Sequence, residues 1–398
     1  MMRPHNRRLY RATQPYSTNF RRVFTFEHTF PTYPQDPEYY LNGGNVVLLI
    51  EGILFKIDVS ILKAEMGSWV FYGPSPVQLL VGRNTQIFGS TNLDPVVVPE
   101  IKAQQFRHLL LALLGRPGDP EYMNLLTDAK DSLRHTKETF LKYLDIGYLA
   151  SRIQLKRLAG WAKEQLLLIF NSTSRVAENI WGADTLLQLA TLAASANEEF
   201  HSKAHIFLRY SLSPWTVLSI DLCSAFLVDR YILLFKDPAV LETSKELFGW
   251  VFLFVLSLGH ESKKWREQLA LKDRAVLYAA ELEMTSLCDY QDLDVAWLLP
   301  PNHTAWYLDI CCDSCWEHCE STWDSSFGQV GLLDSSMLLS DIRMLLLLPR
   351  FRQAFAKAAH SPQWPCKARC GETVLASADQ KFTQLCLDMS TVYEDLLR

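Results

Sequence analysis

Residues 39–71 read YYLNGGNVVLLIEGILFKIDVSILKAEMGSWVF, and the fold turns on how this stretch is read. Between positions 45 and 51 both faces of an extended chain are apolar, with Val46, Leu48 and Ile50 on one side and Val47 and Leu49 on the other. That pattern marks a strand buried on both sides. Glu51-Gly52 follows as a turn, because glycine accepts the positive φ that tight hairpins demand. A second strand then alternates, placing Ile53, Phe55 and Ile57 opposite Leu54, Lys56 and Asp58. Asp58 or Ser60 is placed to cap a helix that carries Ile61, Leu62 and Met66 and ends near Trp69 and Phe71.

Working outward, residues 73–94 are punctuated by Pro74, Pro76, Gly82 and Gly89 and read as loop, with a short extended piece at 77–81. Pro95-Val96-Val97-Val98-Pro99 reads as a third strand bracketed by prolines. Helical spacing follows at 100–114 through Ile101, Phe106, Leu109, Leu110 and Leu113, and Gly115-Arg116-Pro117-Gly118 ends it. A linker to His135 leads into two further helices at 136–150 and 153–170.

The stretch Gly43, Gly44, Asn45, Val46, Val47, Glu51, Leu54, Phe55, Lys56, Ser68 and Phe71 resembles the opening of a BTB/POZ domain. The similarity is greatest to basidiomycete-type fungal members, whose pattern is D/G-G-N-V-V-L-x-V-E-x-x-L-F-K-V-H followed by a helix carrying S-x-x-F. The later helix through Phe106, Leu109, Leu110, Ala112 and Leu113 resembles the family's F-x-x-L-L-x-A-L segment. The resemblance runs over residues 39–170 and implies an α+β domain, a small sheet capped by helices, that serves as an interaction module. It also implies homodimerisation through the first helix, where Leu62, Met66, Trp69, Val70 and Phe71 are the large apolar side chains offered. Asp58 and Val59 stand where the family usually has His and Arg. No glutamate in residues 72–99 supplies the hydrophobic-x-Glu contact of the clearest cullin binders.

Composition agrees with a folded chain. Of 398 residues 48% are hydrophobic and 21% charged, a balance that excludes disorder and predicts more than one packed unit. A net charge of −5 provides no bulk attraction to nucleic acid or anionic membrane. The longest apolar run, LFGWVFLFVLSL at 247–258, is too short to span a bilayer and reads as a buried helix. Residues 1–37 form a basic arm, expected to be disordered, without the apolar core of a secretory signal. All nine cysteines lie at or beyond Cys223, which suggests no disulfide framework and a reducing, cytoplasmic or nuclear setting.

Residues 38–171 thus read as the BTB/POZ-like unit, and residues 172–398 as an irregular α-helical domain with no exact repeat. Phosphate loops, dinucleotide fingerprints, H-E-x-x-H and G-x-S-x-G are all missing, so no enzyme is expected. One cluster carries possible chemistry: Cys312-x-x-Cys315 and Cys366-x-x-x-Cys370 offer two pairs of soft ligands at spacings that suit structural zinc. The same thiols, set among Trp306, Trp316 and Trp323, equally suit a packed core. The expectation is a non-enzymatic scaffold with protein partners, no small-molecule substrate and no cofactor beyond that zinc. Two alternatives remain open: a DNA-associated regulator with a zinc-stabilised C-terminal domain, and a substrate adaptor of a cullin-type ubiquitin ligase.

Overall fold

The computed structural model describes residues 32–66, 76–81, 91–214, 225–284, 313–327, 342–361, 364 and 370–398. Four strands form one mixed sheet: β1 (Gln35–Tyr40), β2 (Val46–Ile50), β3 (Ile53–Ile57) and β4 (Val96–Val98), in the order β1-β3-β2-β4. The hairpin β2–β3 pairs antiparallel with Leu48 opposite Phe55. Glu51 and Gly52 take φ of 50° and 78°, the two consecutive positive values of a type I′ turn. Both outer strands run parallel to their neighbours, β1 to β3 and β4 to β2.

The two-sided apolar pattern is realised as two layers. Leu48, Ile50, Phe55 and Ile57 face the larger core, where Phe55 meets Phe106 edge-on at 5.1 Å. Val47, Leu49 and Leu54 face the other way, beneath Tyr33 and Tyr40. Strand β1 lies partly inside the segment expected to be a disordered arm. Its Asp36 explains why: one carboxylate oxygen accepts the N–H groups of Glu38 and Tyr39, and the other accepts Arg107 Nε at 2.8 Å.

Helix α1 (Val59–Met66) starts where the cap was expected. Asp58 accepts the Ser60 N–H at 2.9 Å, and Asn45 bridges the site by donating to Asp58 and accepting the Val59 N–H. Two expectations are corrected. Residues 77–81 are not extended but lie in α2 (Pro76–Val81); a short apolar run does not separate strand from helix, and proline suits the first helical position. The segment expected to be a plain linker holds α4 (Pro120–Thr127), started by Asp119 and Pro120, and two single 3-10 turns, Asp128–Lys130 and Ser132–Arg134. Before it runs α3 (Ala103–Leu114), whose first N–H is accepted by the side chain of Glu51 at 3.0 Å. The hairpin turn therefore caps a helix 52 residues away.

Helices α5 (Lys137–Arg152) and α6 (Lys156–Phe170) form a pair that faces two ways. Leu149 of α5, with Ile153 and Leu155 from the connection between the two helices, joins the sheet-side core, whereas Phe140, Leu144 and Leu166 join a second core. That second cluster continues across residue 171 to Tyr393. It is built by α7 (Thr173–Ala177), α8 (Ala183–Ala194), α9 (Glu198–Leu212), α10 (Ala225–Lys236), α11 (Pro238–Thr243), α12 (Lys245–Ser257), α13 (Lys263–Gln268), α14 (Leu271–Glu283), α15 (Asp313–Phe327), α16 (Leu348–Ala359) and α17 (Cys370–Leu396). Beyond Val98 the described residues contain no strand. The architecture is a small mixed sheet surrounded by helices, followed by a mainly helical region.

Helix α12 carries the long apolar run and is buried from Glu246 to Ser257. It packs against α17 so closely that a Cβ on Gly249 would fall 1.7 Å from the Cys386 carbonyl oxygen. No described helix is long and apolar enough to cross a membrane.

Candidate functional site

Two clusters of buried polar side chains stand out, and they differ in how completely they are satisfied. The first joins α3, α5 and α8. Gln105 donates to Asp145 at 2.9 Å and to Gln188 at 3.0 Å, while its carbonyl accepts the Lys102 N–H. His108 holds the second Asp145 oxygen through Nδ1 at 2.7 Å, and its Nε2 faces the Gln104 amide at 2.9 Å. With Nδ1 donating to the carboxylate, Nε2 accepts from the amide, so both nitrogens of the imidazole are used. This network ties the sheet unit to the helical region, and none of its fully buried side-chain nitrogens or oxygens lacks a hydrogen-bond partner.

The second cluster lies between α9, α12 and α17. Asn197 caps α9 by accepting the Phe200 N–H, which sets the phase of the helix. His201, His205 and Arg209 then recur every four residues and so share one face. Ser244 caps α12 and brings Glu246, in its first turn, against that face. His205 Nδ1 lies 3.2 Å from Glu246 Oε1, and Arg209 Nη1 lies 3.0 Å from the same oxygen. From α17, the Thr383 hydroxyl accepts from Arg209 and donates to Glu246, each at 3.3 Å. The His201 and His205 rings stack at 4.3 Å.

Electrostatics fix the charge states. Burial alone would push the Glu246 carboxyl up, but Arg209 and His205 outweigh it and hold the pKa at about 2. Burial, with His205 alongside, pushes His201 down from its ordinary value. Burial likewise pushes the neighbouring Cys386 thiol up to about 12, so it stays protonated and inert. His205 Nε2 is buried and meets no hydrogen-bond partner among the described residues. Potential ligand atoms of His201, His205 and Glu246 all fall within 4.8 Å of one another, the single such group found among the described residues.

The expected site residues lie elsewhere. Cys312 and Cys366 are outside the described residues; Cys315 and Cys370 are buried on α15 and α17, and Cys319 is buried one turn beyond Cys315. Of the residues expected at a dimer interface, Trp69, Val70 and Phe71 are outside the described residues and Met66 closes α1. Leu62 is 1% exposed and packs in the sheet-side core, so this chain already fills its surroundings. The histidine pair was readable as H-x-x-x-H in a helical segment; Glu246, from a separate helix, had no local signal. Comparison with known proteins adds no relative: no family model, no curated protein and no solved structure matches this chain.

Proposed function

We propose that the chain is a non-enzymatic protein–protein interaction scaffold of BTB/POZ type, which self-associates through its N-terminal unit and presents the helical region to a protein partner. The observation that carries this reading is the parallel pairing of β4 with β2 after a helical crossover. Hairpin, first helix, third strand, the Phe106 helix and the α5–α6 pair thereby follow one another in the order that the resemblance implies. Large apolar side chains at Trp69, Val70 and Phe71, directly after α1, suit a self-association surface. One hydrophobic core shared by α5, α6 and the helices beyond residue 171 supports a helical region packed against that unit.

Light scattering of the whole chain at low micromolar concentration tests the proposal. The expected mass is twice 45.6 kDa for the wild type and 45.6 kDa for Trp69→Ala or Phe71→Arg. A wild type that remains monomeric up to about 100 μM, on the scale of weak specific association, would discard self-association.

A further inference from the structure

We propose that His201, His205 and Glu246 bind one divalent transition-metal ion of the zinc class. The site clamps α9 to α12 and is distinct from the cysteine cluster. Two features carry the assignment. The donor set is two imidazoles at i and i+4 of one helix face plus a carboxylate from a second helix. Imidazole nitrogen selects zinc and its neighbours over magnesium or calcium, which prefer all-oxygen sites.

Geometry is the second feature. Two ligand atoms on a tetrahedral zinc, each bonded at about 2.0–2.1 Å, lie roughly 3.3 Å apart. His205 Nδ1 and Glu246 Oε1 are 3.2 Å apart, and the three ligand atoms lie within 4.8 Å of one another. His201 is the half-buried member of the trio, so its ring has room to close on an ion while the other two stay fixed by packing.

Arg209 works against a second cation, because its guanidinium shares Glu246 Oε1. It also orients that carboxylate, together with Thr383, as outer partners of metal ligands commonly do. Affinity is therefore expected below that of a four-ligand structural site. The described residues supply three ligands, which leaves a fourth position to water or an incoming donor.

The test uses the whole chain, stripped with a chelator and titrated with Co²⁺ and then Zn²⁺. The expected result is one saturable Co²⁺ per chain with the visible band of a four-coordinate ion, no thiolate-to-cobalt absorption, and displacement by Zn²⁺. His201→Gln, which alters the least buried ligand, should weaken binding at least about tenfold, and Cys315→Ser should leave it unchanged. Circular dichroism of the metal-free variants confirms that both are folded. Absence of saturable binding below millimolar metal overturns the assignment. So does wild-type affinity in His201→Gln, or a thiolate band that vanishes in Cys315→Ser, which would place the ion on the cysteines.

Discussion

In the sheet unit, Asn45, Glu51 and Asp58 sit at turns and satisfy backbone N–H groups at their edges, with one apolar layer on each face of the sheet. In the helical region, by contrast, Arg209 and Glu246 lie inside the core at 4% and 5% exposure and are held by each other and by Thr383. The first arrangement is mostly local: Asp58 reaches Ser60 two residues on, and Asn45 reaches Val59 across 14. The second joins residues up to 174 positions apart. A unit stapled at its turns tolerates the loss of one polar group, because water can replace it. A buried ion pair does not, because removing one charge strands the other in a low dielectric.

The sharpest way to break this contrast is Glu246→Ala in chelator-treated protein. It leaves Arg209 buried without its carboxylate and should cost about 3–5 kcal/mol of unfolding free energy in urea. A loss below about 1 kcal/mol, the scale of an exposed pair, would mean that water already screens the site. The pH dependence carries the same information. The pKa of Glu246 is depressed from 4.5 to about 2, so its contribution is present above the ordinary value and is lost as pH falls through that window. Acid titration of stability should show that loss in the wild type and a shallower one in Glu246→Gln.

Gly249→Ala comes next. A methyl group 1.7 Å from the Cys386 carbonyl oxygen must push α12 and α17 apart, at a cost of about 3 kcal/mol. Hydrogen exchange should rise in α12 and α17 and stay at wild-type level in β2 and β3. Equal rises in both regions would show that the two cores loosen as one.

Tyr143→Phe probes the part of the second core that α4 and α5 build. The hydroxyl donates to the Leu125 carbonyl at 2.6 Å and accepts from the Ala129 N–H at 3.3 Å, so its removal strands two buried backbone groups. The expected loss is about 1–3 kcal/mol, with exchange rising in α4 and the 3-10 turn after it. The smallest effect belongs to the sheet unit. Asn45→Ala removes the bridge to Asp58 and Val59 and should cost about 1 kcal/mol, read as fraying of α1 alone.

Much of the sheet unit was legible because its signals are short-range. The two-sided apolar run, the Glu51-Gly52 turn and the Asp58 cap each rest on neighbours in sequence, and each appears where it was expected. The helix at Pro76–Val81 was misread because six residues are too few to separate a period of 3.6 from a period of 2. Strand β1 was missed because it reads as polar, and only Arg107 and the parallel edge of β3 make it a strand. For the candidate site the division is sharper. His201 and His205 share a helix face by spacing alone, but spacing says nothing about what the face meets.

By itself, the sequence of this protein determined the hairpin, the caps and the helical periodicities, including the buried run of α12, because each depends on side chains a few residues apart. Only the tertiary structure decided that Glu51 caps α3, that Gly249 must admit the α17 backbone, and that Glu246 and Thr383 close on the histidine face of α9. Those pairings depend on how whole helices pack, and the stabilisation of a buried charge is decided by the partner that packing delivers.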